Sequence, residues 1–296
     1  MIATISDNHR RLQRVQEALG RIEARQLATQ PPATLNDAEF RVFSQWGEDG
    51  LIEFLLNKVP IANKVFVEFG VENYLESNTR FLLVNRQWSG LVMDGSAENV
   101  AFIRRDPIYW GYNLKAECSF VTRENINELL TQHGISGDIG LLSIDIDGND
   151  YWVWEAIDCV SPRILVCEYN SLFGRSARVT IPYTPSFTRR EAHFSHLYYG
   201  ASLAALHALG RRKGYSLVGS NRAGNNALFV RDDLAGDLPV APADAYRRSQ
   251  FREAHDRAGR LTFADFQTNL KAIEDLEVYS LDDGRVVKIK ELGISV

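Results

Sequence analysis

The chain has 296 residues, 45% of them hydrophobic and 24% charged, enough to bury a sizeable core in one large domain or one and a half. A formal net charge of -5 leaves no general basic surface and argues against a nucleic-acid partner. No apolar run approaches the roughly 20 residues of a membrane span, and without an apolar h-region near the N-terminus export is not expected. Cys118, Cys159 and Cys167 lack paired metal spacing, so reduced core thiols and a cytoplasmic location are expected.

Residues 1–36 form a charged N-terminal segment that ends in the breaker Gln30, Pro31, Pro32. Leu12, Val15, Leu19 and Ile22 recur at steps of three, four and three, which puts them on one helical stripe. Docking of that stripe on the main domain and self-association into a homo-oligomer both stay open. Residues 37–234 alternate short apolar runs with helical segments, the pattern of a doubly wound α/β sheet. Strands are expected at Lys64–Phe69, Gly90–Met93, Leu114–Ala116, Ile139–Ile144 and Arg163–Glu168. An antiparallel hairpin, Tyr215–Gly219 with Ala227–Arg231, should finish the sheet. The extension 235–296 carries a helical stretch and a hairpin signal at Asp282, Asp283, Gly284.

The first strand runs into VFVEFGVENYLESNT, with Glu68 just before Gly70 and a helix expected near Ser77. In such sheets a ligand sits beyond the carboxyl ends of the strands, where a glycine lets backbone approach it. The second strand ends at Asp94, where an acid commonly binds ribose hydroxyls. A nucleoside-containing cofactor is therefore expected. The loop has one glycine of a GxGxxG, and Glu68, Glu72 and Glu76 would repel a pyrophosphate. A sulfonium such as that of S-adenosylmethionine would be welcome there, and a nicotinamide dinucleotide would not.

The fourth strand stops in LLSIDIDGNDY, with Asp145, Asp147 and Asp150 gathered in six residues. Three acids there need solvent, a cation or a polar ligand to offset their repulsion. The fifth strand ends in Glu168 and Asn170, so neighbouring strand ends offer oxygen ligands suited to a hard divalent metal. The plainer alternative is that the aspartates cap the next helix and tie its loop. The long segment Ser171–Gly214 should build a lid or substrate wall. It holds His193 and His196, side chains suited to taking a proton from a hydroxyl, and Arg175, Arg178, Arg189 and Arg190, suited to a phosphate or carboxylate of an acceptor.

Together SQWGEDG (Ser44–Gly50), VEFGVENYLESNT, GLVMDGS, LLSIDIDGNDY and GYSLVGSNRAGNNALFV resemble class I S-adenosylmethionine-dependent methyltransferases of the FkbM-like sugar and natural-product type, over about residues 40 to 232. The resemblance implies a Rossmann-like, mostly parallel sheet with a terminal antiparallel hairpin. It implies that Glu68, Gly70, Glu72 and Asn78 lie near the methionine part of the cofactor, with Asp94, Gly95 and Ser96 near the adenosine and Gln45 close by. IDIDGNDY is also similar to the fourth-strand end of divalent-metal O-methyltransferases. By that likeness Asp145, Glu168 and Asn170 would hold magnesium or manganese, and Gly148 stands where those relatives carry a catalytic lysine. A base must then come from elsewhere, with His196, His193 and Asp147 as the catalytic candidates. The expected activity is O-methylation of a saccharide or glycosylated small molecule. The alternative is a non-catalytic cofactor- or nucleotide-sugar-binding module with the same fold.

Overall fold

The computed structural model describes residues 2–294; Met1, Ser295 and Val296, at the outer ends of the expected terminal segments, lie outside that range. The chain opens with helix α1 (Ile2–Thr29). Gly20 of α1 sits so close to the body that a Cβ there would lie 2.4 Å from Val42 and 3.0 Å from Phe81, and Ala24 and Leu27 are buried beside it. The helix docks by this face. The Leu12, Val15, Leu19, Ile22 stripe is on another face and is exposed.

Helix α2 (Glu48–Leu56) follows Gly47 at its N-cap, and its first turn is tied to the preceding loop by Ser44 and Asp49. The Asp49 amide donates to Ser44 Oγ at 3.0 Å, while Asp49 Oδ2 accepts from the amides of Val42, Phe43 and Ser44 at 2.7–2.8 Å. Strand β1 (Val65–Phe69), helix α3 (Arg80–Arg86) and strand β2 (Ser89–Asp94) follow. Next come α4 (Ala97–Arg105), α5 (Pro107–Gly111), β3 (Leu114–Cys118), α6 (Ile126–Gln132), β4 (Gly137–Ile144), α7 (Asp150–Ala156) and β5 (Val160–Glu168). The lid segment contributes β6 (Val179–Thr180) and α8 (Arg189–Ala192) and leads into α9 (Leu203–Lys213). The hairpin β7 (Tyr215–Ser220) and β8 (Asn226–Arg231) then closes the large sheet.

That sheet has seven strands in the order β3-β2-β1-β4-β5-β8-β7. Strands β1 to β5 pair in parallel, and β8 runs antiparallel to both β5 and β7. This is the expected doubly wound, Rossmann-like sheet of the methyltransferase type, mostly parallel with an antiparallel terminal hairpin. Apolar layers cover both faces. Trp154, Tyr151, Leu206 and Phe229 belong to one layer, and Leu51, Leu55, Phe66 and Leu228 to the other. The chain order reverses between β1 and β4, so their carboxyl ends diverge and open a crevice.

The extension contains α10 (Pro242–Ala245), α11 (Phe266–Ile273) and a hairpin of β9 (Glu277–Ser280) with β10 (Arg285–Lys288). Strand β9 pairs with β6, making a second sheet in the order β10-β9-β6. Leu270, Ile273 and Val278 of the extension share an apolar cluster with Leu172, Phe173 and Leu197 of the lid segment. The lid and the extension therefore fold on one another. Among the described residues no helix is long and apolar enough to cross a membrane.

Candidate functional site at the strand ends

A cavity of about 430 Å³ opens at the carboxyl ends of β1, β4 and β5, within the range of roughly 300–1,000 Å³ usual for small-molecule sites. Register aligns its floor. Ile144 of β4 pairs with Cys167 of β5, so the next residues, Asp145 and Glu168, emerge side by side, and Glu168 in turn pairs with Asn226 of β8. Gly70 ends the β1 side with φ +70°, and a Cβ there would lie 1.6 Å from the Asp145 carbonyl oxygen. Only glycine satisfies both the left-handed backbone and that approach.

Of the expected cofactor residues, Gln45, Glu68, Gly70, Glu72 and Asn78 line the cavity, and Asp94, Gly95 and Ser96 are not part of its lining. Glu68 is buried and committed to the loop before α3. It accepts from the Asn78 amide at 2.8 Å, from Ser77 Oγ at 2.9 Å, and from both the amide and hydroxyl of Thr79. Burial raises its pKa, and these donors oppose the rise. These bonds engage the amides of Asn78 and Thr79 just ahead of α3, which begins at Arg80 rather than near Ser77. Asp94 ties two loops together: Oδ2 accepts from the Glu72 amide at 2.8 Å, and Oδ1 accepts from the Ser96 amide at 2.8 Å and Asn99 Nδ2 at 3.0 Å. Glu72 and Tyr74 take φ values of 47° and 63°, positions where glycine is the easier residue.

The three strand-end aspartates have different roles. Asp150 forms the turn, its carboxylate accepting from the amides of Ile146 and Gly148 at 2.9 Å, and burial pushes its pKa up to about 6. Asp145 and Asp147 join Glu168 in a carboxylate trio whose oxygens lie within 4.8 Å of one another. Burial, then the charges of Asp147 and Asp150, push Asp145 well above the usual carboxylate range. Glu168 is driven the same way by burial and then by Asp145, and its Oε2 is enclosed without a hydrogen-bond partner. Asn170, the expected third metal ligand, makes its side-chain hydrogen bonds to backbone. Its Nδ2 donates to the carbonyls of Leu197 and Tyr199 at 2.9 and 3.1 Å, and its Oδ1 accepts from the Leu172 amide at 3.0 Å. With its amide committed to holding the lid, Asp147 occupies the third place in the trio.

Of the expected catalytic residues, Asp147 lines the cavity and neither His193 nor His196 is in the lining. His193 Nδ1 bonds Ser195 Oγ at 2.7 Å, and the His196 ring packs 4.3 Å from that of His255 in the extension. Burial first, then neighbouring positive or histidine groups, lowers both pKa values. The lid residue that does reach the cavity is Arg189. It lies 3.6 Å over the Tyr199 ring, and it bonds Asp147 at 2.7 Å and Glu253 at 2.5 Å. Its Nε also donates to the His196 carbonyl at 2.6 Å. Arg178, by contrast, pairs with Asp282 of the extension.

Sequence reasoning missed the wall supplied from the extension. Phe251 stacks on Trp46 with ring centroids 5.0 Å apart, and Arg252 and Glu253 complete that side. Glu48, next to the cavity residue Gln45, is a buried tie. Oε2 accepts from the amides of Trp46 and Gly47, and Oε1 accepts from Asn221 and Asn226. The lining thus carries seven carboxylates, Glu68, Glu72, Glu76, Asp145, Asp147, Glu168 and Glu253, against two guanidinium groups, Arg189 and Arg252. Such a site favours a cationic ligand and disfavours a pyrophosphate. A sulfonium and ammonium bearer fits this donor set, as does a hard divalent ion at the trio.

No family model matches the chain, and no curated protein matches it. Solved structures similar to this chain include the following. The N-terminal domain of EvdMO1 with SAH bound is 14% identical, with 75% of this chain and 94% of that chain covered and a TM-score of 0.41. The same domain in the presence of SAH and D-fucose is 13% identical over the same shares, with a TM-score of 0.39. A S-adenosylmethionine-dependent methyltransferase from Clostridium acetobutylicum ATCC 824 is 7% identical, with 58% of this chain and 85% of that chain covered and a TM-score of 0.36.

Proposed function

We propose that this chain is an S-adenosylmethionine-dependent O-methyltransferase acting on a saccharide or sugar-bearing metabolite, of the FkbM-like type its motifs resemble. The observation that carries the reading is the strongly acidic cavity at the sheet's reversal point, with the buried, unpartnered Glu168 Oε2 at its floor. S-adenosylmethionine, when bound, supplies an electrophilic methyl on a sulfonium that leaves as a neutral thioether. Gly70 lets the backbone turn tightly beside Asp145, and the loop held by Glu68 borders the ligand. The carboxylates favour the cation before transfer more than the neutral product after it. The Glu168 carboxylate, made more basic by burial and with Oε2 lacking a donor, takes the hydroxyl proton as the acceptor oxygen bonds to the methyl carbon. Arg189, paired with Asp147 and Glu253, completes the wall beside the trio. Alignment of the oxygen behind the methyl is the main contribution of such a site.

A metal-assisted form of this reading is favoured by the carboxylate trio. Asp145, Asp147 and Glu168 would hold a magnesium or manganese ion, which would lower the cost of deprotonating the acceptor hydroxyl. Calorimetry against S-adenosylhomocysteine and NAD tests the first reading: micromolar binding of the former alone is expected, and binding of NAD alone overturns it. Glu168→Gln should cut turnover roughly 100-fold while leaving S-adenosylhomocysteine affinity within a few fold. Activity unchanged by exhaustive chelation removes the metal-assisted form and leaves Glu168 as the base.

A further inference from the structure

A second cavity, of about 280 Å³, lies behind the Phe251–Glu253 strap, whose three residues line both cavities. Its other walls come from the chain just after β5, including Ser171, and from the extension, including Arg248 and Phe266. The two cavities differ in charge. The second is lined by two arginines, Arg248 and Arg252, and one carboxylate, Glu253, which is already paired with Arg189 at 2.5 Å. Among the described residues no carboxylate forms an ion pair with Arg248 or Arg252. Aromatic rings support each guanidinium instead: Arg248 lies 4.5 Å over Phe266, and Arg252 lies 5.1 Å over Phe263. Stacking holds the planar groups, and although the Arg248 side chain also meets Tyr246, its remaining N–H groups and those of Arg252 are left for a ligand.

Resting on the methyl-transfer reading, we infer that this second cavity binds an oxyanion, phosphate or carboxylate, carried on the saccharide acceptor. The acidic cavity would repel such a group, and the neighbouring one attracts it. An acceptor that spans the strap would thus be oriented by charge, with its anionic end at Arg248 and its hydroxyl toward Glu168. A neutral sugar would lack this anchor.

Calorimetry with glucose 6-phosphate, glucuronate and glucose as probes tests the inference. Either charged sugar should bind at least about tenfold more tightly than glucose, with affinity falling as salt rises. Tighter binding of glucose 6-phosphate identifies phosphate as the group, and tighter binding of glucuronate identifies carboxylate. Arg248→Gln should remove the preference and Arg248→Lys restore part of it, at unchanged melting temperature and unchanged S-adenosylhomocysteine affinity, since Arg248 lines only the second cavity. Equal binding of all three sugars, or a preference that survives Arg248→Gln, overturns the inference. If the charged sugars bind through Arg248 while S-adenosylhomocysteine does not bind, the oxyanion site stands and the methyl-transfer reading falls. If S-adenosylhomocysteine binds and the charged sugars do not, the oxyanion site alone falls.

Discussion

Asp49 shows how one residue couples local geometry to pH. Three consecutive amides and the Ser44 hydroxyl converge on Oδ2, yet Oδ1 is buried with no partner. Burial outweighs those donors and lifts the pKa from 3.8 to about 6. Between these values the folded chain holds a proton that the unfolded chain has released. The contribution to stability is therefore full below about pH 4 and is lost as pH rises through about 6. Asp49→Asn keeps an oxygen for the three amides and removes the charge. It should flatten the stability profile by up to about 3 kcal/mol between pH 4 and 7, measured by urea denaturation at stepped pH. A variant with the wild-type slope over that window would show that the proton is held elsewhere. The acids of the site were legible for a simple reason: Glu68, Asp145 and Glu168 stand at or beside the ends of apolar strand runs. Their division of labour was not. Which aspartate makes a turn depends on the amides it faces, and the spacing of Asp145, Asp147 and Asp150 carries no information about that.

The parallel strands β1, β2, β4 and β5 were legible as apolar runs, because strands covered on both faces need no alternation, whereas the edge strand β3 alternates, with Lys115 exposed between buried Leu114 and Ala116. Boundaries moved at a helix start: α3 begins at Arg80 rather than near Ser77. The lid was legible as a long connection, but the direction of its side chains was not. His193 and His196 turn toward the extension, whose packing is set by residues distant in sequence. Helix α7 shows the packing that keeps the Asp150 turn in place. Trp154 is 1% exposed, its ring 4.9 Å from that of Phe229 on β8 and 6.1 Å from that of Tyr215 on β7. Trp154→Ala should destabilise the chain by about 3–5 kcal/mol through lost contact and an unfilled cavity. Chemical denaturation would check it, and a loss under about 1 kcal/mol would mean that α7 contributes little to the sheet's cover.

At the scale of the whole molecule, the extension 235–296 had no readable role in composition because its function is carried by contacts across the fold. It pairs β9 with β6 of the lid, places Glu253 against Arg189 and stacks Phe251 on Trp46. Ile273 of α11 is fully buried in the cluster that includes Leu172, Phe173 and Leu197 of the lid segment. An extension that folded alone would melt alone. A shared core instead requires that damage in α11 loosen the lid, and with it the wall of the acidic cavity. Ile273→Ala should cost about 2–5 kcal/mol, lower one cooperative transition, and raise hydrogen exchange across residues 171–201 as well as in α11 itself. S-adenosylhomocysteine should then bind more weakly, because ordering the Arg189–Glu253 wall would draw on the binding energy. Two separate melting transitions, with protection of 171–201 unchanged, would refute the shared core and leave the extension a separate unit that only touches the site.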